Sequence, residues 1–154
     1  MYVRTARLGP LETIDVPEEA RVAFPAGLPG FEDYTAFALI EDEYYAPFCW
    51  LQALDDPYIS FLVVPPACVV PEYDLDIADE DCDSLRLEGD VEPRLYCIVT
   101  VPEDVQALTA NLKAPVVINP ARRRGKQIIR TDERYSLRQP VMQGVANEAG
   151  VGAC

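Results

Sequence analysis

No histidine occurs among the 154 residues. That absence removes the commonest general base, the usual partner of a serine or cysteine nucleophile, and the commonest ligand of transition metals. An ordinary hydrolase is therefore excluded as the leading reading. No apolar run approaches the roughly 20 residues that cross a bilayer, and the opening Met1-Tyr2-Val3-Arg4 lacks the apolar stretch of a secretory signal. The expected location is the cytoplasm, with no membrane contact. The five cysteines, Cys49, Cys68, Cys82, Cys97 and Cys154, are odd in number, widely spaced and without a Cys-x-x-Cys pair. That pattern fits reduced thiols better than a disulfide framework, and with no histidine it argues against zinc. No cofactor or metal is expected. Basic side chains are scarce: 13 against 26 acidic ones, a net charge of -13. Such a balance disfavours general binding to nucleic acid or anionic membranes and favours a partner with a basic surface.

What is abundant is proline. Fourteen prolines, close to twice the usual share, are spread from Pro10 to Pro140, and a helix interior tolerates none of them. Between them lie short runs rich in Val, Ile, Phe and Tyr, the signature of strands. The expected strands are Tyr2–Leu8, Leu11–Val16, Arg21–Phe24, Ala36–Ile40, Phe48–Leu54, Ile59–Val64, Arg94–Val101, Pro115–Asn119 and Lys126–Thr131. Gly9-Pro10 reads as a hairpin turn and Gly125 as the tip of a late hairpin. Leu, Ile, Val and Phe make up 43 of the 154 residues, enough for a real core at this length. The fold class expected is all-β: a small, closed or partly open β-barrel-like single domain over residues 1–140. Short helical turns fit 79–87 and 102–108, where Asp or Pro and acids stand at a helix start. Residues 141–154, small and glycine-containing, read as a flexible C-terminal tail.

The charge is segregated. Residues 1–110 hold 23 acids and five bases, whereas residues 111–154 hold eight bases and three acids. The stretch from Glu72 to Glu92 alone carries ten acids and a single base, Arg86. Three readings apply to it. It is a solvated, solubilising loop; or a docking surface, on which Tyr73, Leu75, Ile77, Leu85 and Leu87 add apolar contact while carboxylates steer a cationic partner; or a calcium loop. The third is poor, because Ser84 stands where an EF-hand needs glycine and Asp90 where it needs glutamate.

Other patterns carry a bland reading beside the sharp one. Arg122-Arg123-Arg124-Gly125-Lys126 suits RNA phosphates, yet it lacks flanking aromatic platforms and equally suits a charged hairpin tip. Asp55-Asp56 resembles a glycosidase carboxylate pair, but Asp-Asp-Pro is ordinary turn chemistry. Cys49-Trp50 lies in an apolar run and reads as core. The loop Phe24-Pro25-Ala26-Gly27-Leu28-Pro29-Gly30-Phe31-Glu32 has glycines but neither the lysine nor the helix of a phosphate loop; it reads as a rigid loop that buries or presents Phe31.

The Phe24–Glu32 loop and the segments downstream of it resemble the FliW family of flagellar assembly factors. The ordered set comprises Phe24–Glu32, then Leu51–Pro57 with Phe61–Val64, Val99–Asp104, Leu108–Asn119, Gly125–Arg130 and Tyr135–Pro140, spanning residues 24 to 140. The resemblance implies a non-enzymatic regulator with a compact β-barrel-like fold. It implies two protein partners, the translational regulator CsrA and cytosolic flagellin, used as a partner switch: binding of CsrA lifts its repression of flagellin mRNA, and secretion of flagellin frees the factor to do so. It favours an allosteric contact beside the RNA site of CsrA. The residues expected on a partner face are Tyr73, Asp74, Asp76, Asp79, Glu80 and Asp81, with the Phe31-Glu32-Asp33 corner as a second candidate or a purely structural loop. Asn111, Asn119, Gln127, Tyr135 and Arg138 match the family pattern, with turn or ladder roles adequate for them. The segments Glu41–Ala46 and Glu72–Glu92 are read as variable in the family, so contacts there are particular to this chain. The competing reading is a direct RNA-binding regulator working through residues 122–126; an enzyme using paired carboxylates stands behind it.

Overall fold

The structure, a computed structural model, describes residues 1–141. Its strands are β1 (Tyr2–Thr5), β2 (Glu12–Asp15), β3 (Arg21–Ala23), β4 (Ala36–Glu41), β5 (Cys49–Ala53), β6 (Ser60–Val64), β7 (Arg94–Thr100), β8 (Thr109–Ala110), β9 (Val116–Asn119), β10 (Arg124–Gln127) and β11 (Gln139–Pro140), and a short α-helix, α1, spans Asp79–Leu85. Seven strands close a barrel in the order β3-β4-β5-β6-β7-β9-β10, with β10 returning to β3 in parallel through the pair Arg124 and Ala23. The other barrel neighbours are antiparallel. At its far end β7 turns to a different partner, β8, which β11 extends. The β1/β2 hairpin forms a separate two-stranded sheet.

The apolar runs of the sequence become strands buried on both faces. In β4, Phe37 and Leu39 join the barrel interior with Phe24, Leu51, Val63 and Val116, whereas Ala38 and Ile40 face outward. The outer face is covered too: Ala38, Ile40 and Trp50 pack against Val3 and Val16 of the hairpin region. Elsewhere Val64, Cys97 and Val99 lie under Leu108, Leu112 and Val141. Gln52 is fully buried in β5 without cost because its amide is satisfied: it accepts from the Thr5 hydroxyl at 2.5 Å and donates to the carbonyls of Ala53, Asp56 and Ile59. It thereby ties the hairpin to the β5/β6 turn, and Asp55-Asp56-Pro57 is that turn, with the Tyr58 N–H donating to the Asp56 carboxylate.

The all-β barrel expected from the sequence is the fold observed, and eight of the nine expected strand runs fall in place with ends shifted by one to three residues. The helical turns at 79–85 and at Val105–Ala107 also match, the latter as a single 3₁₀ turn; further 3₁₀ turns at Glu18–Ala20, Glu43–Tyr45 and Pro66–Cys68 and the two-residue strands β8 and β11 carry too little pattern to read. Gly9 makes the expected hairpin turn, donating to the Ala6 carbonyl at 2.9 Å. Two readings need correction. The last barrel strand is Arg124–Gln127, not 126–131. Beyond it the chain still runs beside 113–115, Ile128 donating to Pro115 and Arg130 to Lys113. The ladder cannot be completed: the Asn111 side chain takes the N–H groups of Lys113 and Ala114, and Pro115 has none. Gly125, in turn, lies inside β10 rather than at a tip, the turn being Pro120–Arg123. A Cβ at Gly125 would collide with the ring of Phe24, which is fully buried inside the barrel. Gly125→Ala should therefore cost roughly 1–3 kcal/mol as an overpacked core site, read as a lower thermal midpoint; an unchanged midpoint would contradict this packing.

Val141 belongs to the folded unit, fully buried and donating to the Leu108 carbonyl. Residues 142–154, which the sequence reads as tail, lie outside the described residues. Cys49, Cys82 and Cys97 are free thiols. Burial pushes the Cys49 thiol up to about 11, with help from the Glu41 charge, and that of Cys97 to about 12. Both are protonated at neutral pH, so neither is poised as a nucleophile.

Candidate protein-docking surface

The acidic stretch is a strap laid across the outside of the barrel and pinned at defined points. At its start the Tyr73 hydroxyl donates to the Leu112 carbonyl at 2.8 Å, while its ring lies against Tyr135 at 4.4 Å between centroids. Arg130 is the hub. Its side chain is 5% exposed, stacks on both Tyr73 and Tyr135, and donates to the Asp74 carbonyl at 2.6 Å and to both oxygens of Asp132 at 3.1 and 2.8 Å. The Asp132 hydrogen bonds hold the guanidinium firmly charged, and Arg130 in return lowers the carboxyl of Asp132 below its ordinary range. The Tyr73 hydroxyl is shifted the other way, raised by burial against the opposing influence of Arg130.

Further along, α1 carries Asp79, Glu80 and Asp81 in its first turn, where the exposed N–H groups favour negative charge. It ends on Arg86 in the left-handed region, and Leu85 anchors it at 1% exposed. The fully buried Asn119 holds that end: its amide donates to the Leu85 and Arg86 carbonyls, and its oxygen accepts from Ala121 and Arg122, shaping the turn before β10. An asparagine of ordinary turn type thus couples the strap to the last barrel hairpin.

The basic cluster of the sequence faces the strap. Lys126 pairs with Asp81 at 2.5 Å, Arg122 with Glu88 at 4.0 Å, and Arg124 donates to the Ser84 carbonyl at 3.2 Å; Arg123 turns away to the Glu18 carbonyl. Each of these cations has a carboxylate or carbonyl of the same chain beside it. Among the described residues no group of three or more acidic or cysteine side chains converges as a metal site. The acids of the strap are instead drawn apart, Asp74 to Arg134 and Asp81 to Lys126.

The candidate site residues accordingly divide. Tyr73 is an anchor, half-buried under Arg130; Asp74 is exposed but paired at 3.3 Å; Asp81 has only 13% of its side chain exposed and is committed to Lys126. Asp76, Asp79 and Glu80 are exposed and, among the described residues, free of ion pairs. Asp76 and Glu80 rim a cleft of about 310 Å³ between the strap and residues 128–134. The Phe31-Glu32-Asp33 corner is built mainly for its own fold. Phe31 stands edge-on to Phe61 at 5.0 Å, Glu32 accepts from the Gly30 N–H at 2.7 Å, and Asp33 is exposed without an ion pair among the described residues. Its neighbour Pro29 lines a second groove, of about 490 Å³, with Ile98, Ala114 and Leu137. Ile129, 66% exposed, lines both depressions and so stands between corner and strap. The linear sequence does not single out Ile129, Leu137 or Arg130; the recurrence of a base at Lys126, Arg130 and Arg134 is the available signal that carboxylates lie alongside.

A closed seven-stranded barrel, here with an acidic strap pinned across its outside, is also the architecture of known proteins. The family model described as FliW protein matches residues 3–141. The flagellar assembly factor FliW of Alkaliphilus metalliredigens is 35% identical over 146 residues, covering 94% of this chain and 88% of that one, and its counterpart in Caldicellulosiruptor saccharolyticus is 39% identical over 136 residues, covering 88% and 87%. A crystal structure of the flagellar assembly factor FliW superposes with a TM-score of 0.80 at 33% identity, covering 92% of this chain and 96% of that one. The chain belongs to the FliW family. Among the described residues no helix is long and apolar enough to cross a membrane.

Proposed function

We propose that this flagellar assembly factor works in the cytoplasm without catalysis, by binding the translational regulator CsrA and relieving its repression of flagellin mRNA, and by binding flagellin in alternation with it. The observation that carries the reading is the strap: Asp76, Asp79 and Glu80, exposed and without ion pairs among the described residues, on a segment that Asp74, Asp81 and Glu88 tie to Arg134, Lys126 and Arg122. An RNA-binding partner must present cationic surface, and exposed carboxylates on a fixed frame steer such a partner at little ordering cost. Contact beside the RNA site lowers RNA affinity by linkage rather than by occupying it. The Phe31-Glu32-Asp33 corner, across Ile129, is the second contact candidate, with Asp33 as its free charge.

A gel-shift experiment tests this. CsrA bound to flagellin leader RNA should release the RNA when this protein is added, and the protein alone should leave the RNA unshifted. Retention of the CsrA–RNA complex at saturating protein would contradict the antagonist role, and a salt-sensitive shift by the protein alone would favour direct RNA binding through residues 122–126.

A further inference from the structure

The last barrel strand leaves one of its edges open. β10 meets β3 through a single pair, Arg124 with Ala23, and the two then part. Pro25 has no N–H to continue the pairing, and the Gly27 N–H donates to the Phe24 carbonyl at 2.8 Å, which turns that chain away. On its other side β10 keeps its register beyond its end. The ladder that sets Lys126 opposite Val117 runs on to Ile128, whose N–H donates to the Pro115 carbonyl at 2.9 Å, and to Arg130, whose N–H donates to that of Lys113 at 2.8 Å. Successive residues of an extended chain turn their N–H and C=O groups to opposite sides, so those of Gln127 and Ile129 face the side that β3 has left. Among the described residues no hydrogen bond reaches the backbone of Ile129.

We propose that residues 127–129 are a docking edge, to which an extended, apolar segment of a protein partner adds as a further strand. Its alternate side chains enter the adjoining groove of about 490 Å³, which Gln127 and Ile129 themselves line together with Pro29, Ile98, Ala114 and Leu137. Three features select this occupant. Free main-chain groups at successive outward positions recognise an extended chain, the alternate side chains supplying specificity. The polar side chains of the groove are engaged internally: the Asn111 oxygen accepts from the Lys113 and Ala114 N–H groups, and the Gln127 amide donates to the Ala114 carbonyl at 2.9 Å. The walls therefore present apolar surface. Lys113, 3.6 Å from Glu133, is the one charged residue of the lining, which contains no carboxylate, so the groove attracts a neutral or acidic segment and not the cationic surface that suits the strap. Natural sheets blunt an exposed edge with charge or proline; this one carries Ile129 at 66% exposure, with Leu137 at 59% in the same groove. The inference stands whether or not the strap binds CsrA.

The test is titration of the full chain with a short, end-blocked peptide of alternating leucine and threonine that finishes in glutamate, followed by backbone amide shifts and amide exchange. The expected result is saturable binding with exchange slowed at least tenfold at Gln127 and Ile129 and little changed at Ile128 and Arg130, whose N–H groups are already bonded. Two further peptides, one N-methylated at every leucine and one at every threonine, separate strand addition from mere apolar adhesion: one should lose binding and the other keep it. Ile129→Asp/Leu137→Asp should weaken binding at least tenfold, whereas Asp76→Lys/Asp79→Lys/Glu80→Lys should bind as the wild type does. Ile129 and Leu137 are exposed, so the fold should persist, and a thermal melt checks it. No binding, equal binding of the two methylated peptides, or shifts confined to residues 74–83 would overturn the proposal. So would a concentration-dependent dimer abolished by Ile129→Asp/Leu137→Asp, which would hand the edge to a second copy of this chain.

Discussion

Replacing Asp76, Asp79 and Glu80 together by lysine is expected to weaken binding to CsrA about 100-fold, on the order of 1 kcal/mol for each reversed charge at a polar rim. The three carboxylates are exposed and, among the described residues, unpaired, so no internal partner is stranded by the change. The cost to the fold is small: Asp79 and Glu80 lose a favourable position in the first turn of α1, roughly 0.3–1 kcal/mol each. Because steering is Coulombic, the loss should be largest at low salt and shrink as the Debye length falls below about 10 Å. Asp81→Lys behaves differently, since it places a cation against Lys126 and should lower the melting temperature as well. Undiminished affinity in the triple variant, measured by calorimetry, would reduce the strap to a solubilising surface.

The second large effect is expected at Arg130. Arg130→Met removes a buried guanidinium that joins the strap to the barrel, leaving the Asp74 carbonyl without its donor and the Tyr73–Tyr135 pair without its cover. The loss should be about 2–4 kcal/mol, a large share of the roughly 5–15 kcal/mol that holds a domain of this size. Faster amide exchange in residues 72–78 should accompany it, showing that the strap itself has loosened. Arg130→Lys should rescue little, because an ammonium neither grips both Asp132 oxygens nor stacks flat on two rings. The linked pH effect has a definite sign. The carboxyl of Asp132 is lowered in the folded state, so its contribution is present above the ordinary carboxylate range and lost as pH falls through its folded value. Asp132→Asn should flatten that part of the acid limb. A variant Arg130→Met that melts with the wild type and exchanges no faster would contradict the hub assignment.

The contrast between these sites shows what the linear sequence carries. Short apolar runs such as Ala36–Ile40 and Phe61–Val64 are legible as strands because they are too short for a helix and lie between prolines, not because of any polar alternation. The closure of the barrel is not legible: a single parallel pair, Arg124 with Ala23, joins segments about a hundred residues apart, and no local pattern records it. Gly125 reads as turn chemistry until Phe24 is seen against its Cα. The acidic strap is conspicuous in the sequence, yet its free charges are not, since Asp76 and Asp81 look alike until Lys126 is placed beside one of them. Arg122–Lys126 likewise reads as an independent basic patch because its ion pairs lie some forty residues away in the chain. The family pattern from residue 24 to residue 140 bridged that gap for the fold, while the particular exposed residues had to come from geometry.

The most direct measurement is a calorimetric titration of the purified protein with CsrA at two salt concentrations, repeated with flagellin already bound. The expected result is tight binding that weakens with salt and disappears once flagellin is in place. Failure to bind CsrA while flagellin binding persists would leave a flagellin-binding assembly factor and contradict the translational role.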